Sequence, residues 1–396
     1  MRYLFCYLLS ILLFVSCSKE EPTIPVLPHR TIIAYLCGDN NLSSEIDMKI
    51  KALQQGMQSI GETTNQLIVY ADYNDDMPKL LQITSTEKTE LKHYVEMNSA
   101  SAANFSRILE EIMHDFPSES YGLICFSHAS GWLPAKALNN PSDFAPADTP
   151  LLTQATSRSI FEDEKQEMSI QDFAAAIPLT PSGGKLEFVL LETCYMAGVE
   201  VAYELRDKTK YILSSAAEML SDGLVKIYPT HLSDLFAPEP RLTTFAQAYF
   251  DHWNSLSGAS RSATVSLIDL SGIEDLAKTV KTIYANQQAV NVSNIQHFNR
   301  NAYHLFFDLS DYMEAMATPE QKTAYENALS KVVVYQAATP QFMPGYPYSF
   351  VIRMHCGLTT YICQPEFPAL NQAYETTGWG RFLSDGAPSS DLGWLP

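Results

Sequence analysis

LEFVLLETCYMAGVEVAYEL, residues 186–205, contains the pattern that decides the fold of this chain. Residues 186–191 form a largely apolar run that predicts a buried strand, and residues 199–205 have the apolar spacing of a helix. Between them lies the polar junction Glu192-Thr193-Cys194. The sequence therefore places a thiol just beyond the carboxyl end of a buried strand.

The same alternation of buried strand and amphipathic helix recurs on both sides of this segment. Further strands are predicted at Thr31–Leu36, Gln66–Tyr70, Tyr121–Phe126 and Tyr211–Ser214. Helices are predicted at Leu42–Met57, Ala102–Met113 and Ile170–Ile177. Strands that are apolar on both faces and separated by helices are typical of a mostly parallel sheet flanked by helices. We therefore expect an α/β fold.

Composition and periodicity divide the chain into segments. Trp132–Met168 is rich in Pro, Asp, Ser and Thr without sustained periodicity, which predicts a surface loop. After residue 235 the pattern becomes mainly helical, with strand-like pieces at Thr264–Ile268, Ser349–Met354 and Leu358–Ile362. The length fits two domains or one elaborated domain. We expect a sheet domain at 31–235 and a helical and mixed C-terminal subdomain at 236–396, packed on that sheet.

The N-terminus has the layout of a secretion signal, with one positive charge, an apolar run over residues 4–15 and then Ser16-Cys17. It resembles the lipobox of bacterial lipoproteins, in which Cys17 carries lipid and becomes the mature N-terminus. A transmembrane anchor is the alternative, but about twelve apolar residues are fewer than the roughly 20 that a spanning helix needs. Residues 18–30 are polar and proline-bearing, which predicts a tether. We expect a secreted protein anchored through its lipid to a bacterial envelope, at the outer membrane or cell surface.

Charge and motif content exclude several classes of function. The formal net charge of −19 repels phosphate backbones, and no cluster of Lys and Arg offers a local exception, so nucleic acid is not an expected partner. Five of the seven cysteines follow Cys17, and an odd number leaves at least one free thiol. The sequence lacks G-x-S-x-G, H-E-x-x-H, P-loop and paired C-x-x-C motifs, which argues against serine hydrolases, zincins, nucleotide-binding proteins and zinc ribbons.

Two reactive side chains follow strands of the predicted sheet. His128 comes just after the strand that ends at Phe126, and Cys194 comes just after residues 186–191. Ligands bind at the carboxyl ends of parallel strands, so these side chains face each other if the strands are neighbours. A thiol attacks as its thiolate, and its free pKa of about 8.5 must be lowered by an imidazolium or by a helix N-terminus such as the one predicted after Cys194. The backbone amides of Cys194 and Ala129 are candidates to bind the oxyanion.

Two blocks of sequence resemble the clostripain family of cysteine peptidases. Residues 189–205 resemble its cysteine block and residues 127–132 its histidine block. Further blocks agree in order at residues 34–42, 214–218, 266–270, 307–312 and 357–361. The resemblance implies a caspase-like fold, also found in gingipains and legumains, and protein or peptide substrates. It implies a Cys/His dyad in which Cys194 is the nucleophile and His128 transfers protons.

The resemblance further implies cleavage after Arg or Lys, with acidic side chains in the pocket for that residue. One family acid lies two residues before the cysteine, where this chain has Glu192 in place of the usual Asp. Glu218 and Asp222, which follow the fifth strand, are the other candidates. The histidine block also departs from the family, with Ala129 where Gly is common. A backbone N–H survives this change if the local φ is negative.

Some relatives mature by cleavage of the loop between the two blocks after a basic residue, for which Lys136, Arg158 and Lys165 are available here. Clostripain itself depends on calcium, so the resemblance raises calcium as a candidate ion. The acidic residues of the loop lack calcium-loop spacing, and we expect no metal ligands and no other cofactor. The loop acids are Asp143, Asp148, Glu162, Asp163 and Glu164.

A non-catalytic lipoprotein that binds peptides or glycans with the same fold is the alternative function. An isolated buried cysteine is more often inert packing than a nucleophile, and an isolated histidine is more often a surface residue. Because the chain retains both Cys194 and His128, we favour the peptidase.

Overall fold

The computed structural model describes residues 27–74, 76–134, 137–139, 141–142, 160–164, 166–286 and 288–385. The signal segment, Cys17 and most of the tether lie outside the described residues, so lipid anchoring stays a prediction. The candidate maturation sites Lys136, Arg158 and Lys165 also lie outside them. Within the described ranges, no helix has the length and apolar content that a membrane span requires.

Strands and helices alternate along most of the chain. The strands are β1 (Arg30–Gly38), β2 (Gln66–Tyr73), β3 (Asp76–Ile83), β4 (Lys88–His93), β5 (Ser120–Phe126), β6 (Ile160–Asp163), β7 (Gln166–Met168), β8 (Leu186–Glu192), β9 (Thr209–Ser214), β10 (Thr264–Asp269), β11 (Phe307–Asp308), β12 (Val333–Ala338), β13 (Gln341–Phe342), β14 (Phe350–Val351) and β15 (Thr359–Thr360). The helices are α1 (Ser43–Ile60), α2 (Ala102–Asp115), α3 (Ile170–Ala176), α4 (Val199–Leu205), α5 (Tyr228–Phe236), α6 (Leu242–Asn254), α7 (Ile273–Tyr284), α8 (Leu309–Met316), α9 (Pro319–Leu329), α10 (Pro368–Tyr374) and α11 (Gly378–Ser384). Short 3₁₀ helices lie at Gly258–Ser260, Leu270–Gly272 and Val292–Asn294.

One large sheet organises the described part of the chain, in the strand order β12-β10-β9-β8-β5-β1-β2-β3-β4. The central strands β9, β8, β5, β1 and β2 run parallel, while the pairings that involve β3, β4, β10 and β12 are antiparallel. The predicted α/β fold with a mostly parallel sheet is confirmed. The β3–β4 hairpin was not predicted, because every residue of β4 is exposed and its sequence carries no apolar alternation.

Strands from beyond residue 235 complete one edge of this sheet. β10 pairs with β9, and β12 pairs with β10. The C-terminal part of the chain therefore extends the sheet as well as packing on it, and the domain division at residue 235 stays a prediction. The strand pieces predicted at Ser349–Met354 and Leu358–Ile362 are reduced to β14 and β15, which belong to two small sheets.

Both faces of the sheet are buried against helices. Because side chains alternate along a strand, β1 contributes to two hydrophobic cores. Ile32, Ala34 and Leu36 join one core with residues of α1, α5 and α6, whereas Ile33, Tyr35 and Cys37 join the other with residues of α2, α3, α4 and α7. Cys37 and Cys125 lie within apolar strands and are both fully buried. Burial on two sides explains why the central strands are apolar throughout.

The end of the predicted loop Trp132–Met168 is more regular than expected. β6 and β7 pair antiparallel, so the expectation of an irregular segment is wrong for these residues. The backbone of the histidine segment provides the partner: the amide of Phe161 donates to the carbonyl of His128 at 3.1 Å, and Ala129 forms an antiparallel bridge with Ile160. The hairpin thus holds the residues that follow β5.

Candidate active site

The two reactive side chains follow neighbouring strands that end at the same level of the sheet. β5 and β8 pair in parallel, and their register aligns Phe126 with Glu192. His128 and Cys194 each lie two residues beyond this pair. The condition set in the sequence analysis, that the two strands are neighbours, is therefore met, while the roles of the two side chains stay predictions.

His128 is half-buried and contacts the loop after β1. Its Nε2 lies 2.5 Å from Oδ1 of Asn41, which leaves this ring nitrogen as the donor because an amide oxygen only accepts. Burial lowers the pKa of His128, and the nearby Glu162 carboxylate opposes this shift more weakly. The imidazole is therefore neutral at pH 7 in this arrangement.

Cys194 lies on a strained turn that is tied to the chain after β9. The amide of Tyr195 donates to the carbonyl of Ala217 at 3.0 Å, and that of Ala197 donates to Ser215 at 2.9 Å. Tyr195 has a φ of 60°, which a residue with a side chain adopts only when its surroundings enforce it. Its ring stacks on Phe306 with centroids 4.6 Å apart. This turn presents the sulfur beyond the sheet edge.

The surroundings of the sulfur do not match the activation expected from the sequence. The helix predicted over residues 199–205 is confirmed, but it begins five residues beyond Cys194, so Cys194 does not lie in the first turn of a helix. The side chain remains partly exposed, but protein atoms enclose the sulfur and this burial raises the pKa of Cys194 to about 11. The amide of Met219 donates to the sulfur at 3.4 Å and partly opposes the shift. The prediction of a helix-activated thiolate is wrong for this state, in which the thiol is neutral.

The backbone around the two side chains is compatible with an oxyanion site. Ala129 is not among the described residues with positive φ, so the Ala that replaces the family Gly is tolerated. Gly131 has a φ of 64°, and a Cβ at this position would lie 2.8 Å from the carbonyl oxygen of Tyr195. The glycine thus lets the histidine and cysteine turns approach closely. The use of the Ala129 and Cys194 amides as oxyanion donors stays a prediction.

Glu192 is buried in an ion pair rather than open to substrate. Its Oε1 accepts hydrogen bonds from Lys49 Nζ at 2.7 Å and from the Leu224 amide at 2.6 Å, and its Oε2 accepts one from the Tyr228 hydroxyl at 2.9 Å. The Lys49 and Glu192 side chains are only 1% and 2% exposed. The assignment of Glu192 as a pocket acid is therefore corrected: here it is a buried structural carboxylate, because a lysine of the same chain already neutralises it.

The other predicted pocket acids have different surroundings. Glu218 pairs with Arg300, whose Nε lies 2.6 Å from Oε2. Asp222 is exposed. Glu45 on α1, which the sequence analysis did not single out, is buried with an unpartnered Oε2, and burial raises its pKa. Both Glu45 and Glu218 act electrostatically on Cys194, so several acidic groups surround the nucleophile candidate.

Comparison with known proteins identifies the family. The model of the clostripain family, peptidase family C11, matches residues 34–346. The chain belongs to the clostripain family. The matched residues include both the histidine and the cysteine segments. Membership of this family makes the chain a cysteine peptidase.

Solved structures of clostripain-family proteins share the fold. An inactive zymogen C11 protease from Parabacteroides distasonis is 28% identical, with a TM-score of 0.77 over 91% of this chain and 99% of that one. A secreted C11 cysteine protease from Bacteroides thetaiotaomicron, iotapain, is 20% identical, with a TM-score of 0.77 over 90% and 100%. A structure of a secreted C11 cysteine protease from the same organism with an irreversible peptide inhibitor is 22% identical, with a TM-score of 0.75 over 90% and 98%. Comparison with curated proteins found no match.

Sequence reasoning missed several residues that shape the site. Asn41, Glu45, Lys49 and Arg300 are all far in sequence from both His128 and Cys194. Only Asn41 carried a signal, because it lies in the family block at residues 34–42. One further group of donor atoms, from Cys37, Asp72 and Asp163, lies close enough to share a metal ion among the described residues.

Replacement of Lys49 by Met should destabilise the protein. The substitution leaves the buried Glu192 carboxylate without its charge partner, which costs about 3 kcal/mol in comparable sites. We expect a clear fall in the melting temperature by differential scanning fluorimetry. Lys51→Met, an exposed lysine on the same helix, is the matched control and should melt like the parent. The double variant Lys49→Met, Glu192→Gln should recover most of the loss, and equal melting of Lys49→Met and parent would contradict the assignment.

Alkylation of Cys194 should depend steeply on pH. With a pKa of about 11, the reactive thiolate fraction increases roughly tenfold per pH unit between pH 7 and 9. We expect the rate of iodoacetamide labelling in the substrate-free protein, followed by mass spectrometry of the Cys194 peptide, to increase accordingly. A rate that levels off below pH 8 would show that the thiol is already activated.

Proposed function

We propose that this protein is a cysteine endopeptidase in which Cys194 is the nucleophile and His128 transfers the protons. The observation that supports the proposal is their equivalent position, two residues beyond the aligned Phe126–Glu192 pair of β5 and β8, in a chain of the clostripain family. Neighbouring parallel strands bring the residues that follow them to one edge, where substrate has access.

The reaction would begin with proton transfer from the Cys194 thiol to the His128 imidazole. The sulfur bonds to the scissile carbonyl carbon, and the carbonyl electrons move to oxygen, where the amides of Cys194 and Ala129 stabilise the negative charge. The C–N bond then breaks as the leaving amine takes the proton from His128. Water hydrolyses the thioester and the thiol regains a proton.

In the described state, the pKa values of the two groups do not favour transfer of the proton from Cys194 to His128. Burial raises the pKa of Cys194 and lowers that of His128, so both groups are neutral at pH 7. No hydrogen bond joins the two side chains among the described residues, since His128 Nε2 contacts Asn41 and the Cys194 sulfur accepts from Met219. We propose that substrate binding rearranges His128 away from Asn41 and towards the sulfur.

We propose that cleavage follows Arg or Lys, because acidic groups surround the sulfur. Glu192 is neutralised by Lys49 and Glu218 by Arg300. Asp222 and Glu45 have no ion-pair partner among the described residues, which makes them the better candidates to pair with a basic side chain. Burial raises the pKa of Glu45, and the nearby Asp222 carboxylate adds to this shift.

We also propose that the protein acts outside the cytoplasm. The N-terminal segment has the features of a lipoprotein signal. A similar structure is that of a secreted C11 protease, and another contains a peptide inhibitor, in agreement with extracellular protein or peptide substrates.

Peptidase activity should require both members of the dyad. Cys194→Ala and His128→Ala should each lower kcat/KM on fluorogenic peptides by ~10³-fold or more, because each removes one half of a unit that acts together. Cys363→Ala, which alters a partly exposed cysteine outside the site, is the control and should keep parental activity. If the parent itself cleaves no Arg-, Lys- or neutral-ended peptide, with or without limited proteolysis, the non-catalytic binding function is favoured instead.

The acidic pocket can be tested separately. Asp222→Asn should lower kcat/KM for Arg- and Lys-ended peptides by about 10-fold, while a neutral-ended peptide is unaffected, because only the basic side chain loses an ion pair. Asp207→Asn, an exposed acid after α4, is the matched control. Parental preference for basic peptides in both Asp222→Asn and Glu45→Gln would place the pocket elsewhere.

A further inference from the structure

Three donor atoms meet at the carboxyl ends of β1 and β2, away from the Cys194 sulfur. Cys37 of β1 and Asp72 of β2 are direct partners in the parallel register. Asp163, at the end of β6, completes the group. The Cys37 sulfur and one carboxylate oxygen from each aspartate all lie within 4.8 Å of one another, and all three residues are buried. Three separate elements therefore bring a thiol and two carboxyl groups to one point.

Asp72 is enclosed without a cation beside it among the described residues. It is 0% exposed, neither Oδ1 nor Oδ2 has a hydrogen-bond partner of good geometry there, and the nearby Ser99 hydroxyl alone stabilises its charge. The charged groups that act most strongly on it are the acids Asp163, Glu96 and Asp39. A buried carboxylate without a donor or a cation is costly, and buried polar groups are nearly always satisfied. Among the described residues, no positively charged group therefore balances the Asp72 carboxylate.

Asp163, in contrast, is held in place by its surroundings. Its Oδ2 accepts a hydrogen bond from the Ser99 amide. Ser99 is in turn fixed by the hydroxyl groups of Tyr35 and Tyr70, which contact its carbonyl and hydroxyl oxygens at 2.8 and 2.6 Å. The second carboxylate of the group is therefore oriented before any ligand arrives.

We propose that Cys37, Asp72 and Asp163 bind one divalent ion of the zinc class. A thiolate is a soft ligand that suits zinc and similar transition metals, whereas calcium prefers six to eight oxygen ligands. Tetrahedral zinc with sulfur and oxygen ligands at 2.0–2.3 Å separates its donors by about 3.5 Å. Small side-chain adjustments within the 4.8 Å group reach that spacing.

The fourth position would be filled by the Glu162 carbonyl or by water. The Cys37 thiol lies 3.5 Å from this carbonyl oxygen, to which it donates in the metal-free arrangement. Metal binding would replace that contact: the Cys37 thiol and the Asp72 carboxyl, whose pKa burial raises to about 8, release their protons to solvent, and the sulfur and the carbonyl oxygen become available to the ion. The positive ion would also balance both buried aspartates.

Such an ion would hold the loop that contacts His128. Cys37 ends β1 next to the loop that carries Asn40 and Asn41, and Asn40 Nδ2 donates to the Glu162 carbonyl at 2.6 Å. Asn41 contacts His128, and Phe161 donates to the His128 carbonyl. The metal would therefore connect β1, β2 and the β6–β7 hairpin behind the histidine, without a direct role at the proposed nucleophile.

Metal content tests the proposal independently of peptidase activity. All variants are made in the Cys194→Ala background, so that the proposed nucleophile cannot contribute a ligand. After incubation with zinc and removal of excess ion, we expect about one equivalent per chain by elemental mass spectrometry. Cys37→Ser, Asp72→Asn and Asp163→Asn should each lose it. Cys125→Ser, which alters a buried cysteine of β5 outside the group, should retain it.

Two further measurements separate loss of the ligand from loss of the fold. Cobalt bound to the parent should give thiolate-to-cobalt charge-transfer absorption that is absent in Cys37→Ser. Zinc at a hundredfold excess over Kd should raise the melting temperature of the parent by about 3 °C and leave Asp72→Asn unchanged. Without metal, Asp72→Asn should melt close to the parent, since burial raises the pKa of Asp72 to about 8 and its side chain is then mostly neutral at pH 7. A parent that binds no zinc, or Cys37→Ser and Asp72→Asn proteins that keep the full equivalent, would overturn the proposal.

Discussion

The hydrogen-bonded register of β5 and β8 is the constraint on which the candidate active site depends. It aligns Phe126 with Glu192, and the two turns that follow carry His128 and Cys194. The same register pairs Gly122 with Phe188, and any side chain at residue 122 would overlap the Phe188 ring. A slip of one residue would move one turn by about 3.3 Å and reverse the faces of all its side chains. The fit of ring over glycine therefore helps to set the distance between the two reactive groups.

Ion pairs within the protein determine which acidic side chains near the Cys194 sulfur remain available to pair with a basic substrate side chain. Lys49 reaches from α1 across the sheet edge to Glu192 and also lies 4.1 Å from the centre of the Phe126 ring. Gly223 packs so closely on Glu192 that a Cβ there would overlap its carboxylate. An enclosed lysine carboxylate pair is stable because each charge satisfies the other, and removal of one is costly. Glu192, which lies two residues before the cysteine, is therefore part of the buried structure next to the proposed nucleophile.

In the described state the backbone of the site is formed, but the two reactive side chains are uncharged. Burial keeps the Cys194 thiol protonated and the His128 imidazole neutral, and Asn41 holds the ring. The loop between β1 and α1 therefore contacts the proton-transferring side chain, while its first residues adjoin the Cys37 and Asp72 pair. The loop thus adjoins both His128 and the group formed by Cys37, Asp72 and Asp163.

Local sequence patterns are sufficient to predict the α/β class, the order of the central strands and helices, and the two turns that carry His128 and Cys194. These features depend on local apolar periodicity and on short family blocks, both of which are visible along the chain. The β3–β4 hairpin escaped because exposed polar strands carry no such pattern. The pairing of Lys49 with Glu192, the pairing of Arg300 with Glu218 and the burial that raises the pKa of Cys194 follow from the folded chain alone. These outcomes depend on burial and on contacts between residues far apart in sequence, since a charge acquires its pKa and its partner only when the fold encloses it.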